Sequence, residues 1–170
     1  GYAGLTGSKF TAGKIRQLIT VAAADLNVEH AVRIVVERGN IKFRAGISAG
    51  GDDLISEADL GVGTHSLTLT PNSDFYVEVA HFGKYKAYVD SIAIEASGTL
   101  TLPSPWPLSN LGLLRYDQSG DVIYIACNGH QQRKIERRSA RSWSIVKYTP
   151  ADGPFRNVNV SGTTIASSAV

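Results

Sequence analysis

The chain has no methionine, one cysteine and six prolines among its 170 residues. A single cysteine excludes a disulfide scaffold and a cysteine-rich zinc site. No apolar run reaches the roughly 18–20 residues that a membrane-spanning helix needs, and the N-terminus shows no pattern typical of a signal peptide. Because the chain begins Gly1-Tyr2 and contains no methionine, we expect it to be a fragment of a longer protein or a processed product.

Charge of either sign is scarce, with 17 Lys+Arg against 15 Asp+Glu and a net charge of +2. This balance is too even to predict nucleic-acid or membrane binding. The net charge is unevenly distributed, however, because residues 1–112 carry −2 and residues 113–170 carry +4. The change coincides with the segment Pro103–Pro107, whose three prolines forbid a helix. We therefore predict one domain over 1–100, a proline-rich linker over 101–110 and a second unit over 111–170.

The hydrophobic pattern of the first unit has a period of two, which is typical of β-strands. In Ile41–Ala45 the odd-numbered residues are apolar and the even-numbered ones are basic. The pair Gly39-Asn40 before this strand predicts a tight hairpin with Ala31–Arg38. Ile15–Ala24 fits either a strand or a short helix. Roughly five to seven short strands, about ten residues apart, predict an all-β fold with a β-sandwich.

The second unit is also rich in β-strand patterns. Val122–Cys127 and Gln131–Arg138 flank Asn128-Gly129, a strong hairpin signal, and Ser144–Tyr148 predicts a third strand. Few large apolar residues are available here, so the unit is marginal alone. We expect it to be incomplete and to complete itself against chain outside this sequence. The tail 157–170 fits a strand or a frayed end.

No motif predicts an enzyme or a cofactor. Gly46–Gly50 matches the G-x-S-x-G pattern of serine hydrolases, but that pattern requires a helix directly after the serine. Gly50-Gly51 cannot begin such a helix, so we interpret the match as a chance occurrence in a glycine-rich loop. The four histidines stand in different segments without a nearby histidine partner, which does not favour a metal site.

Two clusters of charge have alternative interpretations. Four carboxylates within eight residues are weak candidates for Ca²⁺ binding, or else an ordinary acidic loop; they are Asp52, Asp53, Glu57 and Asp59. A basic cluster near the C-terminus predicts a basic face with aromatic residues nearby, which either contacts another subunit or nucleic acid, or is simply solvated. Its members are Arg133, Lys134, Arg137, Arg138, Arg141 and Lys147, with Trp143 and Tyr148 beside them.

A series of four ordered elements resembles a known family. The elements are Leu114–Ile125 (LRYDQSGDVIYI), Arg133-Lys134-Ile135 with Arg137, Ser142-Trp143-Ser144, and Asp152-Gly153-Pro154-Phe155. At these spacings they resemble virion proteins of tailed bacteriophages, in particular the short-tail nozzle (tail tubular protein B-like) family. The resemblance covers about residues 111–160. It departs from the family at Asn128-Gly129-His130, where a His-Pro type of turn is usual. Residues 26–98 resemble, more loosely, jelly-roll modules inserted into some phage structural proteins.

The resemblance implies a mechanical function in the virion tail. Nozzle subunits form a ring of identical copies below the adaptor at the portal end, where they extend and close the DNA conduit. The implied partners are identical subunits, the adaptor or other tail proteins, and passing DNA. Trp143, Arg137 and Arg138 are then candidate contact residues.

An alternative function belongs to a different class. Sugar-binding sandwiches present exposed aromatic side chains on which a glycan stacks. Tyr76, Tyr85 and Tyr88 are candidates for such a platform. The alternative prediction is therefore a carbohydrate-binding module that contacts the host cell surface.

Overall fold

The computed structural model describes residues 2–150, which form two antiparallel β-sheets. Two short 3-10 segments, Ala23–Asp25 and Leu108–Leu113, interrupt the strands. The strands are β1 (Ala3–Leu5), β2 (Gly13–Ile19), β3 (His30–Arg38), β4 (Ile41–Gly46), β5 (Ile55–Leu60), β6 (Gly63–Leu69), β7 (Phe75–His81), β8 (Ala87–Ile94), β9 (Arg115–Ser119), β10 (Val122–Cys127), β11 (His130–Ser139) and β12 (Ser142–Lys147).

The larger sheet has the order β1-β8-β3-β6-β12-β11-β10-β9, and the smaller has the order β2-β7-β4-β5. The main core lies between the two sheets and draws its buried residues from β1 and β3–β8. Alternate residues supply it: Ile41, Phe43 and Ala45 are buried, whereas Lys42 and Arg44 lie on the other side of β4. The prediction of an all-β fold with a β-sandwich is confirmed. Within Ile15–Ala24, residues 15–19 belong to the strand β2, and the 3-10 segment Ala23–Asp25 begins at the end of this range.

The predicted hairpin between β3 and β4 is wrong. Both strands form, but β3 pairs with β6 and β8 whereas β4 pairs with β5 and β7. Gly39, with a φ of 73°, turns the chain from one sheet into the other. Each strand carries an apolar face, and the fold buries these faces against each other across the core instead of side by side in one sheet.

The second predicted unit joins the larger sheet. β10 and β11 form the predicted hairpin about Asn128-Gly129, and β9 pairs with the other side of β10. The expectation that this part completes itself against chain outside the sequence is wrong for β12, which pairs with β6. Only glycine at position 63 permits this pairing. A Cβ on residue 63 would lie 2.2 Å from the Ile145 carbonyl oxygen, and the φ of 151° at Gly63 is one that other residues rarely adopt. The division into separate domains stays a prediction.

The proline-rich segment lies across the outer face of the larger sheet. Arg33 on that face donates hydrogen bonds to Thr101, and Pro103–Pro105 border a cavity of about 290 Å³ that β3, β6 and β12 also line. Trp106 is then buried against the β9–β11 part of the sheet. It forms a second core with Ile125 and Cys127, to which Leu114, Ile123 and Ile135 add partly buried contacts.

Two sets of expectations lie beyond these observations. The Asp152–Phe155 element and the tail 157–170 fall outside the described residues.

Between residues 2 and 150, no helix is long and apolar enough to cross a membrane.

We expect Trp106→Ala to lower the free energy of unfolding by about 3 kcal/mol, because it removes the largest side chain of the second core. Urea titration followed by circular dichroism measures the change. Leu108→Ala is the matched control, since Leu108 belongs to the same segment but is 84% exposed. Equal stability of the Trp106→Ala variant and the control would contradict the packing of this segment on the sheet.

Candidate functional site

A buried Ser–His pair lies where β6 meets β12. The register places Ser144 opposite His65, and both side chains are fully buried. His65 Nε2 carries the proton and donates a hydrogen bond of 2.8 Å to the carbonyl oxygen of Gly61. Nδ1 is therefore the unprotonated nitrogen and accepts a hydrogen bond from the Ser144 hydroxyl at 2.8 Å.

This environment favours the neutral imidazole. The pKa of His65 is lowered from 6.5 to about 4. Burial is the main cause and the positive charge of Arg138 adds to it, while the hydrogen bond to Gly61 acts in the opposite direction. Arg138 Nε also donates to Ser144 Oγ at 3.2 Å. A serine hydroxyl beside a neutral histidine is the arrangement of a nucleophile and its base, but a fully buried Ser144 cannot meet a substrate. The pair acts as a structural link between strands.

The predicted basic face is divided by the pleat of the strands. On β11 successive side chains point to opposite faces, so Arg133 and Arg137 lie on one face and Lys134 and Arg138 on the other. Lys147, the cross-strand partner of Arg133, shares the first face, and Arg141 lies in the β11–β12 turn. The six residues do not form one face. Their role as interface or nucleic-acid-facing residues stays a prediction.

Internal contacts already occupy several of these basic groups. Lys134 Nζ lies 2.7 Å from Glu136 Oε1, and Arg137 lies 3.4 Å from Asp121. Arg138 donates to Ser144 and to the backbone carbonyl of Asp59 at 3.3 Å. These pairings lower the net positive charge that the cluster offers to a partner.

Trp143 lines an open groove at the β11–β12 turn. The side chain is partly buried, and its Nε1 donates to the carbonyl of Ala140 at 3.2 Å. Leu100 and Leu102 form part of the same groove, whose volume is about 880 Å³. Arg141 closes one side through an ion pair with Glu29 at 2.8 Å. Of the predicted contact residues, Trp143 and Arg141 are therefore brought together here.

The three tyrosines proposed as a glycan platform do not lie together. Tyr76 lies on β7 of the smaller sheet, Tyr88 on β8 of the larger one, and Tyr85 in the loop before β8. Tyr88 contacts Tyr2 with ring centroids 6.3 Å apart and carries Arg38 over its ring. Tyr85 is 75% exposed. A single stacking platform made of these three side chains is not present.

A different group of tyrosines shares one cavity of about 400 Å³ at the β9–β12 end of the larger sheet. Tyr124 and Tyr148 pack edge to face at 5.4 Å. The polar side chains of Asp117 and Gln132 lie beside them. Tyr116 is the cross-strand partner of Ile125, so its side chain points to the other face of the sheet. Sequence reasoning missed this pair because its members come from β10 and from the end of β12.

Several exposed apolar residues lie just before the cavity residues in the sequence. We define the apolar strip as Leu108, Leu111, Leu113 and Tyr116, which are 84%, 45%, 56% and 77% exposed. Three belong to the 3-10 segment and the fourth to β9, the end strand of the larger sheet. The four residues lie within a nine-residue stretch of the chain, and such exposed large apolar side chains are candidates for an association site.

The weak calcium candidates are separated. Asp53 accepts hydrogen bonds from the backbone of Ile47, whereas Glu57 and Asp59 lie on β5. Both β5 carboxylates pair with Lys42, at 2.9 and 3.4 Å, and the hydrogen bond to Glu57 raises the lysine pKa. Within residues 2–150 no group of three or more His, Cys, Asp or Glu side chains is placed to hold a metal ion.

Glu78 is the centre of a charged cluster that the sequence pattern did not reveal. Its side chain points away from the core but is only 2% exposed, because residues 47–54 fold over it. The loop is so close that a Cβ added to Gly50 would lie 3.2 Å from a nitrogen of Arg16, which binds Glu78. Desolvation alone would raise the pKa of Glu78, but hydrogen bonds from Arg44 and Arg16 outweigh it and lower the pKa. Their Nε atoms lie 3.0 and 2.8 Å from the carboxylate.

Comparison of the chain with protein-family models, curated proteins and solved structures finds no match.

We expect stability to depend on His65 in a definite pH window. The unfolded chain binds a proton at His65 below about pH 6.5, whereas the folded chain does not until about pH 4, so stability falls as the pH falls through this window. The loss reaches about 3 kcal/mol at the acid end. Urea titrations at several pH values measure it, and His65→Gln should show a shallower pH dependence than the wild type.

Ser144→Ala is the control for this prediction. It removes the hydrogen bond but leaves a buried imidazole, and because burial is the main cause of the lowered pKa, the steep pH dependence should persist. Identical pH dependence in the wild type and the His65→Gln variant would contradict the assignment.

Proposed function

We propose that this chain is a non-catalytic structural subunit of a bacteriophage tail, of the short-tail nozzle kind. In this proposal identical copies form a ring at the portal end of the tail, bound to the adaptor or other tail proteins, and surround passing DNA. The observation that carries the proposal is the apolar strip, an exposed apolar surface of which Leu111, Leu113 and Tyr116 belong to the part of the chain that resembles nozzle proteins.

The placement of the resembling elements supports this. Leu114–Ile125 covers β9 and most of β10, Arg133–Arg137 lies in β11, and Ser142-Trp143-Ser144 begins β12. These elements are therefore successive antiparallel strands of one sheet rather than scattered matches. The strands extend the larger sheet beyond the main core, so that β9 is fully exposed at its end.

The chemistry of the described residues also fits a subunit that works by contact. The Ser–His pair is buried inside the protein, and its mutual hydrogen bond joins β6 to β12. Large exposed apolar side chains lose water-accessible area only when another surface covers them, and each such residue contributes roughly 1.5–3 kcal/mol on full burial. A ring contact at the apolar strip would bury several of them.

We expect the double substitution Leu113→Ser with Tyr116→Ser to weaken self-association, raising the dissociation constant at least about tenfold because two exposed apolar groups are lost. Mass photometry and sedimentation velocity measure the assemblies formed by the 170-residue chain. Tyr85→Ser is the matched control, because this tyrosine is equally exposed but lies near the opposite end of the larger sheet. A wild-type chain that stays monomeric at all concentrations would contradict the proposed function.

A second candidate function, a carbohydrate-binding module, is favoured by the cavity lined by the rings of Tyr124 and Tyr148. Aromatic rings beside Asp117 and Gln132 combine a stacking surface with hydrogen-bonding groups, the combination that glycan sites use. The site differs from the platform expected from the sequence.

The test of this candidate is binding to a glycan array, followed by calorimetry with any glycan found. Tyr124→Ala should lower the affinity at least about tenfold by removing one stacking ring, whereas Tyr85→Ala should leave it unchanged. An array without signal, or equal effects of the two substitutions, would contradict a glycan site at this cavity.

A further inference from the structure

The two sides of the sandwich are covered to different extents. Beside β5 the larger sheet continues from β6 into β12, and Leu60 at the end of β5 is fully buried. On the other side the smaller sheet ends in β2, a strand of seven residues, and the larger sheet ends in β8 and the three-residue strand β1. We call this second side the open side.

The second half of β8 has no neighbouring strand on the open side. β1 pairs with Ala87–Val89, whereas β3 pairs with the other side of β8 as far as Ile94. At Asp90, β8 has one residue more than β3, and the pairing with β1 ends before this bulge. Within residues 2–150, the backbone of 91–94 therefore has a free edge that can pair with a further strand.

Side chains that point into the sandwich are incompletely covered at the same place. Ile92 and Ile94 pair with the fully buried Ile34 and Val32 of β3, so they share their inward face. Ile15 of β2 likewise pairs with a buried residue of β7. Ile15 and Ile94 are nevertheless 44% and 38% exposed. Because inward-facing residues normally form the core of a sandwich, this exposure indicates a gap between the sheets.

The gap is an apolar cleft of about 200 Å³. It is lined by Ile15, Gln17, Ile19, Val77, Val79, Ile92 and Ile94. A single extended strand suits both features of the open side. Its backbone pairs with the free edge of residues 91–94, while every second side chain enters the cleft.

A negative charge lies at the end of this free edge. Asp90 is exposed, and none of the ion pairs between described residues includes it. The last residue of a strand that runs antiparallel to β8 would come to lie beside Asp90. A basic residue there would complement the carboxylate and favour this register over others.

We propose that the open side is a docking site for one extended segment of a partner protein, which pairs antiparallel with residues 91–94 and completes the sandwich. The antiparallel direction follows the two sheets, in which all neighbouring strands are antiparallel. The segment has apolar residues opposite Ile92 and Ile94, small polar residues between them, and a basic residue at Asp90. This contact goes beyond the proposed ring, because it does not involve the apolar strip.

A single strand has room in this position. β1 ends at the Ala3–Val89 pair, and Tyr2, the first described residue, contacts the ring of Tyr88. Among the described residues, no strand lies beside β8 beyond this point.

Binding of a synthetic peptide to the 170-residue chain tests the contact by fluorescence anisotropy. The probe is fluorescein-labelled Thr-Ile-Thr-Val-Thr-Lys. The control peptide, Thr-Thr-Ile-Val-Thr-Lys, has the same composition but can place only one apolar side chain in the cleft. The control should bind at least about tenfold more weakly. Equal binding of the two peptides, or no binding of the probe at about 1 mM, would overturn the proposal.

Substitutions in the chain locate the peptide. Ile94→Thr keeps a β-branched residue in the strand but removes apolar lining, so it should raise the dissociation constant about fivefold or more. Ile47→Thr is the matched control, since Ile47 is 47% exposed in the loop after β4. Asp90→Lys should weaken binding of the probe about threefold or more, and a probe that ends in Glu should recover it. Equal effects of Ile94→Thr and Ile47→Thr would contradict a site at the cleft; circular dichroism verifies folding.

Alkylation of an Ile94→Cys variant determines whether the chain itself fills the cleft. The introduced thiol should react readily in the free chain and at least about tenfold more slowly with saturating probe. The wild type gives the background, because its Cys127 is buried. If the folded variant resists alkylation without the probe, residues of the chain itself cover the cleft and the partner strand is wrong. None of these measurements requires self-association, so the outcome is distinguishable from that of the ring proposal.

Discussion

The pairing of β12 with β6 joins the two parts of this molecule into one sheet. It attaches four strands, β9–β12, to a sandwich that already has its own core. The junction has no room for a side chain at Gly63, and it holds a neutral His65 bonded to Ser144 and to the Gly61 carbonyl. A buried imidazole without partners would cost free energy. Here the strands approach closely at Gly63, and both nitrogens of the imidazole make hydrogen bonds.

The attachment decides how the remaining apolar surface is covered. The chain leaves β8 near one end of the larger sheet and must reach β9 at the other end, so residues 95–114 cross its outer face. Trp106 covers the apolar side of the β10–β11 hairpin on the way. A segment that contains three prolines suits this crossing, because it needs neither a helix nor ladder hydrogen bonds. The leucines that follow remain exposed, which leaves the apolar strip available to a partner.

Buried charge on the smaller sheet is also paired with partners inside the protein. Glu78 is buried beneath residues 47–54, yet two arginines on neighbouring strands bond its carboxylate and keep its pKa low. Lys14 also pairs with Glu78 at 3.7 Å, and Asp59 pairs with Lys42 at 3.4 Å, so the basic residues of β2 and the acidic residues of β5 lie at opposite sides of the sheet. The smaller sheet is therefore electrically polar across its strands, although the whole chain is nearly neutral.

The pattern of the residues was sufficient to predict the all-β class, most strand positions, the Asn128-Gly129 hairpin and the residues of β4 that face the core. These follow from local rules, since a period of two and a positive-φ turn involve neighbouring residues only. Long-range packing places β3 and β4 in different sheets, divides the basic residues of β11 between two faces, and brings Tyr124 and Tyr148 together. Residues far apart in the chain meet there, and which strands become neighbours is settled by the burial of whole apolar faces, for which no single segment carries the information.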